Sequence, residues 1–136
     1  MDPVPPAPEA PHVLLADDEP LVRTFLAAVL TDAGYRVTPV ADGHQAVALL
    51  TDSALSFAAA ILDCLLPGLS GPEVFALSRL RGCRAPILLV SGSSGPPSLP
   101  DPTADPAVRF LAKPFSIAEL ARAVADLLTL PSGAPG

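Results

Sequence analysis

Residues 59–71 read Ala-Ala-Ile-Leu-Asp-Cys-Leu-Leu-Pro-Gly-Leu-Ser-Gly, an apolar run from Ala59 to Leu62 closed by the carboxylate of Asp63. A short run with no polar alternation suits a strand buried on both faces, as in a parallel sheet. A carboxylate at the end of such a strand is costly to bury unless a partner meets it. Working outward, three runs of the same kind appear: Val13-Leu14-Leu15-Ala16, Ile87-Leu88-Leu89-Val90 and Phe110-Leu111-Ala112. Tyr35 to Val40 is a weaker candidate, and Arg36, Thr38 and Pro39 place it at a sheet edge, where a missing backbone donor is tolerated.

Helical patterns separate the runs. Residues 20–33 carry two adjacent rows at i, i+4 spacing, Leu21-Phe25-Val29 and Val22-Leu26-Leu30, and Gly34 supplies a stop. Together the rows predict a wide apolar stripe. A shorter helix is expected over 44–50 after the turn Asp42-Gly43, with Ala46, Val47 and Leu50 inward. Ser70 with Glu73, and Ser116 with Glu119, make capping-box patterns; Pro72 falls in a first turn, where its missing donor is harmless. They open helices over 72–80 and through Leu120, Val124, Leu127 and Leu128. Alternating strands and helices predict a doubly wound α/β sheet with right-handed crossovers.

Composition narrows the function classes. A chain of 136 residues, 50% hydrophobic and 16% charged, suits one packed domain and is too apolar for disorder throughout. No apolar run reaches the roughly 18 residues needed to span a bilayer, so no membrane insertion is expected. The net charge is −6, and of the basic residues only Arg79, Arg81 and Arg84 lie close together, so direct nucleic-acid binding is not expected. Two cysteines, Cys64 and Cys83, without a signal segment point to a reduced, cytoplasmic setting rather than a disulfide scaffold. Five prolines within residues 3–11 predict a Pro-rich disordered arm over 1–11; the folded domain is expected over 12–130 and a flexible tail over 131–136.

The polar residues stand where a site belongs. Directly after the four buried runs come Asp17-Asp18-Glu19, Asp63, Ser91 and Lys113, the single lysine. In an open parallel sheet ligands bind beyond the carboxyl ends of the strands, so these residues are expected to converge on one rim. Asp17, Asp18 and Asp63 gathered there would repel one another unless a cation sits among them. Hard oxygen ligands suit magnesium. Magnesium beside a carboxylate points to phosphoryl chemistry, in which an aspartate attacks phosphorus while a lysine and a hydroxyl meet the phosphoryl oxygens.

The segments LLADDEP, ILDCLLPGLSG, LLVSGSS and FLAKPF, in this order and each at a strand end, resemble the receiver domain of two-component response regulators over residues 12–130. The resemblance implies a flavodoxin-like fold with a five-stranded parallel sheet in the order 2-1-3-4-5. It implies that Asp63 is the phosphoacceptor, supplied by a histidine kinase or histidine phosphotransfer protein. Asp18 and Asp63 would bind magnesium directly, Asp17 through water, and the backbone carbonyl of Leu65 would complete the protein ligands. Ser91 would hydrogen-bond the phosphoryl group, Lys113 would pair with it, and Phe110 matches an aromatic switch position. Lys113-Pro114 matches a peptide bond that is often cis in such domains. The resemblance makes the protein a signalling phosphoacceptor that assists its own phosphorylation, not an enzyme with a separate substrate.

Each residue also has a plainer reading. Asp17 and Asp18 could cap the helix beginning at Pro20, Ser91 could be a turn serine, Lys113 a solvated charge and Phe110 core packing. Cys64 and Cys83 are read as inert, and His12 and His44 have no spaced partner for a metal. One departure from the family pattern concerns output: Pro96, Pro97, Pro100, Pro102 and Pro106 interrupt the segment where the family carries its fourth helix. An interior proline costs a helix about 3 kcal/mol, so that helix is expected short or absent and the segment a mobile loop, as in receivers attached to hybrid histidine kinases. Two other classes compete. A receiver working without phosphate, as a pure interaction module, is one. The other is an enzyme or carrier on a similar fold: flavodoxins need a hydroxyl- and glycine-rich loop where this chain has Asp17-Asp18-Glu19, and aspartate-nucleophile phosphatases need a second aspartate where it has Leu65. The segment after Leu130 is too short and too rich in breakers for an output domain, so a complete chain would be a stand-alone receiver.

Overall fold

The computed structural model describes residues 10–92 and 107–129. Along these residues run β1 (His12–Ala16), α1 (Pro20–Asp32), β2 (Arg36–Val40), α2 (Gly43–Leu50), β3 (Ala59–Asp63), α3 (Gly71–Leu80), β4 (Ile87–Ser91), β5 (Val108–Ala112) and α4 (Ile117–Leu128). The strands form one parallel sheet of five, in the order β2-β1-β3-β4-β5, which is the flavodoxin-like arrangement. The expected loss of the family's fourth helix falls on residues 93–106, and most of the expected arm and tail on 1–9 and 130–136, all outside the described residues.

Each central strand is buried on both faces because its side chains alternate between two cores. Leu14, Leu62 and Leu89 face the side covered by α2 and α3. Leu15, Ile61 and Leu88 face the side covered by α1 and α4. All of β3, Asp63 included, is buried, whereas β2 at the edge carries the exposed Arg36 and Pro39.

Helix starts follow local chemistry. Ser70 and Ser116 accept from the amides of Glu73 and Glu119, and both carboxylates accept in turn from the cap amides, so both capping boxes form. Asp42 caps α2 through the amide of Gln45. α1 differs: its first residue is Pro20, its N-cap is Glu19, and no side chain caps it. Neither Asp17 nor Asp18 is a cap. The wide stripe predicted for α1 also divides, since Leu26 and Leu30 are buried while Leu21 is 85% and Phe25 53% exposed. The row of Val22, Leu26 and Leu30 seats the helix on the sheet; of the other row only Val29 packs against the core, and Leu21 and Phe25 are left outside.

Candidate functional site at the carboxyl edge of the sheet

The strand order reverses between β1 and β3, so the loops after these strands part to opposite faces and leave a crevice at the rim. Asp17 and Asp18 follow β1, Asp63 ends β3, Ser91 ends β4 and Lys113 follows β5. The carboxylates of Asp17, Asp18 and Asp63 offer one oxygen each, all within 4.8 Å of one another. Asp17 and Asp63 are buried, at 3% and 8% exposure, and Asp18 is open to solvent.

Hydrogen bonds hold this group. Oδ2 of Asp63 accepts from Nζ of Lys113 at 2.7 Å, and Oδ1 accepts from the amide of Leu65 at 3.0 Å. The amide of Lys113 donates to the carbonyl of Ser91 at 2.7 Å, which ties the end of β5 to the end of β4. The Lys113–Pro114 peptide is cis. Oδ1 of Asp17 accepts from the amide of Glu19 at 2.9 Å, and Nη1 of Arg23 donates to the carbonyl of Asp17, also at 2.9 Å.

Electrostatics follow from this crowding. Burial pushes the Asp17 carboxyl upward; the Glu19 amide and Lys113 pull against it, and the charges of Asp63 and Asp18 add to the rise. Burial disfavours the charged form of Lys113, yet its hydrogen bond to Asp63 and the charges of Asp63, Asp17 and Glu19 outweigh that, and the net direction is upward. Burial first, then Asp63, pushes the Cys64 thiol up to about 11, which keeps it protonated beside the acidic group.

Three carboxylates within one ion's reach face a single lysine, so negative charge is left over at a rim with an exposed oxygen ligand. That donor set fits magnesium, a hard cation that takes one or two carboxylates and keeps several waters. Among the described residues it is the one cluster of three or more acidic, histidine or cysteine side chains spaced to hold a metal.

Of the other expected residues, Leu65 projects into solvent at 61% exposure beside Asp63, and Phe110 is half-buried against the core on the α2 and α3 side. Two features escape a reading by motif. Arg23 is one; a cation in the first turns of a helix, against the helix dipole, is the signal that points to it. Gly71 is the other. A Cβ there would lie 2.6 Å from the carbonyl of Asp63, so only glycine lets α3 begin this close to the acidic strand end.

Comparison with known proteins agrees with this fold. The family model of the response regulator receiver domain matches residues 13–125. The chain belongs to the response regulator receiver family. This receiver is 34% identical over 109 residues to the transcriptional regulatory protein TcrA of Mycobacterium tuberculosis, covering 80% of this chain and 42% of TcrA. It is 35% identical over 109 residues to the response regulator RppA of Synechocystis, covering 80% of this chain and 47% of RppA. The receiver spans about half the length of the curated relatives it matches. Among solved structures it resembles the receiver domain of the sensor histidine kinase PA1611 from Pseudomonas aeruginosa, described with a magnesium ion coordinated in the active site cleft. That match has a TM-score of 0.73 and 32% identity, and covers 89% of this chain and 99% of the other. A response regulator receiver protein from Sinorhizobium medicae gives a TM-score of 0.73 at 31% identity, covering 90% and 97%.

Proposed function

We propose that this receiver accepts a phosphoryl group from a phosphohistidine partner, a histidine kinase or histidine phosphotransfer protein, onto Asp63. The observation that carries the reading is Asp63 itself: a carboxylate nine-tenths buried at a strand end, held by Lys113 and flanked by two further carboxylates. Asp18 and Asp63, with the backbone carbonyl of Leu65, would hold magnesium directly, and Asp17 through water. Bound there, the ion would offset the charge of the phosphoryl oxygens.

A carboxylate oxygen of Asp63 attacks phosphorus; the new P–O bond forms as the P–N bond to the partner's imidazole breaks, and the ring nitrogen keeps the electron pair. The amide of Leu65 and the ammonium of Lys113 orient the carboxylate before attack. Lys113 then pairs with the phosphoryl oxygens, and the hydroxyl of Ser91 donates to another. Phe110, packed beside β4, is the side chain through which this change reaches the α2 and α3 face. Signalling is the product, with no separate substrate turned over, and a histidine kinase or phosphotransfer partner would be met in the cytoplasm. No helix among the described residues is long and apolar enough to cross a membrane.

The surface beside Asp63 supports docking of such a partner. Val22, Phe25 and Leu26 of α1 with Lys113, Pro114 and Phe115 line a shallow apolar cavity of about 510 Å³. Phe25, which α1 leaves 53% exposed, borders this cavity, and an exposed apolar patch of this kind marks an interaction site.

Intact-mass measurement after incubation with magnesium and acetyl phosphate tests the reading. One added phosphoryl group is expected, absent from Asp63→Ala and from a magnesium-free control. No adduct in any sample, with magnesium still bound, would favour instead an interaction module that works without phosphate.

A further inference from the structure

We infer that Arg23 is a positioning residue for the metal-binding loop: its guanidinium clamps the peptide that joins Asp17 to Asp18, and so sets both carboxylates against Asp63. The inference rests on reading the acidic cluster as a magnesium site.

Arg23 is misplaced as a helix-stabilising residue. It lies in the opening turns of α1, where the helix dipole is positive and a cation is unfavourable, and no acidic residue occupies the first turn to offset it. A side chain opposed to its helix is explained by what it touches. Nη1 of Arg23 reaches back six residues to the carbonyl of Asp17 at 2.9 Å, while its own amide donates to the carbonyl of Glu19 at 2.8 Å. Arg23 is partly buried there.

The carbonyl it holds occupies a decisive position. A peptide unit is planar, so fixing the C=O of Asp17 fixes the amide and Cα direction of Asp18. Asp18 makes no side-chain hydrogen bond among the described residues and is exposed, so its own surroundings do not orient it. Asp17 is held at three points: its amide donates to the carbonyl of Val40 at 3.2 Å, its Oδ1 accepts from Glu19, and its carbonyl accepts from Arg23. The first holds Asp17 alone, and the second brackets Asp18 between Asp17 and Glu19; the third acts directly on the peptide that links the two acids. A charge-assisted bond to a neutral acceptor is stronger than the neutral equivalent, and groups that orient metal ligands carry a large share of a site's affinity.

Charge and position make opposite forecasts, which separates them. A guanidinium near the site repels a divalent cation, so if charge alone mattered, Arg23→Ala would tighten magnesium binding. If Arg23 acts by position, the same change weakens it. Isothermal titration with magnesium chloride on the unphosphorylated protein reads this directly, without any phosphotransfer. Arg23→Ala is expected to raise the dissociation constant roughly tenfold, at the low end of the effect of outer-shell partners. Arg23→Lys, which keeps the charge and a donor but not the planar fork, is expected to fall between the two. Thr24→Ala, an exposed change on the same turn, controls for disturbance of α1 and is expected to leave the constant within about twofold, since surface changes away from special features have small effects. Circular dichroism checks the fold of each variant, and Arg23→Lys carries the test if Arg23→Ala does not fold. Wild-type affinity in the Arg23 variants, tighter binding in Arg23→Ala, or equal weakening in Thr24→Ala would each overturn the inference while leaving the metal site standing. A wild-type protein that binds no magnesium overturns both.

Discussion

Lys113 lies 2.7 Å from Asp63 across fifty residues of sequence, and among the described residues it is the one cation that an otherwise acidic rim presents to that carboxylate. Its side chain is 36% exposed, so solvent screens the pair, and the direct contribution to stability is about 1 kcal/mol or less. Lys113→Ala leaves Asp17, Asp18 and Asp63 facing one another with that cation gone. Thermal unfolding in a chelator is expected to show a midpoint lowered by roughly 3–6 °C, and saturating magnesium to recover most of it. An unchanged midpoint in both conditions would show that the pair contributes nothing to the resting state.

Asp17 makes the opposite forecast. Its carboxyl is raised above the ordinary value of 3.8, chiefly by burial. A group raised in the folded state contributes its stability below the unfolded value and loses it as pH rises through the folded one. At neutral pH the ionised Asp17 is therefore a liability to the metal-free fold. Asp17→Asn keeps the oxygen that accepts from Glu19 and removes the charge. Its midpoint in chelator is expected to rise by about 3 °C. The gain that magnesium brings to the wild type is expected to shrink. A midpoint below wild type in chelator would contradict the burial argument.

His12 supplies a pH dependence remote from the acidic site. Its ring lies 4.4 Å from that of Phe57, and Nε2 sits 2.6 Å from the hydroxyl of Thr38. Burial, then the charge of Arg36, lowers its pKa from 6.5. A histidine lowered in the folded state contributes stability above its unfolded value, lost as pH falls from 6.5 toward the lowered one. Wild-type midpoints at pH 7.5 and pH 5.5 are expected to differ by more than those of His12→Gln, whose amide retains a partner for Thr38 and does not titrate. Parallel pH profiles for the two proteins would remove His12 from the account.

Much of the fold was legible because the signals were local. A short apolar run such as Ile87 to Val90 has no polar face to turn outward, and a capping box specifies a helix start within four residues. The orientation of α1 was less legible. Two adjacent apolar rows have the same periodicity, and only packing decided that Leu26 and Leu30 go inward while Leu21 and Phe25 stay out. The acidic and basic residues of the rim were visible because each follows a strand. What joins them was not: the Lys113 to Asp63 pair is set by sheet order, and Arg23 acts on a backbone carbonyl, which leaves no side-chain partner in the sequence to find.

Leu65 brings the site's chemistry to its last step. It stands two residues after Asp63, its amide fixed on Oδ1 of that carboxylate at 3.0 Å and its side chain 61% exposed. On the reading of Asp63 as phosphoacceptor, the water that hydrolyses the acyl phosphate would meet this exposed side chain beside the carboxylate. A leucine there neither donates nor accepts a hydrogen bond, so it leaves that water unoriented. Leu65→Asn keeps the branching at Cγ and the same backbone bond while adding a donor and an acceptor beside Asp63. Positioned polar groups contribute roughly a hundredfold or more to proton transfer when fully engaged. An exposed amide that only orients water falls below that range, and phosphoryl loss is expected to quicken about tenfold by intact mass after removal of the phosphodonor. Equal decay in wild type and Leu65→Asn, with equal initial phosphorylation, would place the rate limit elsewhere in the site.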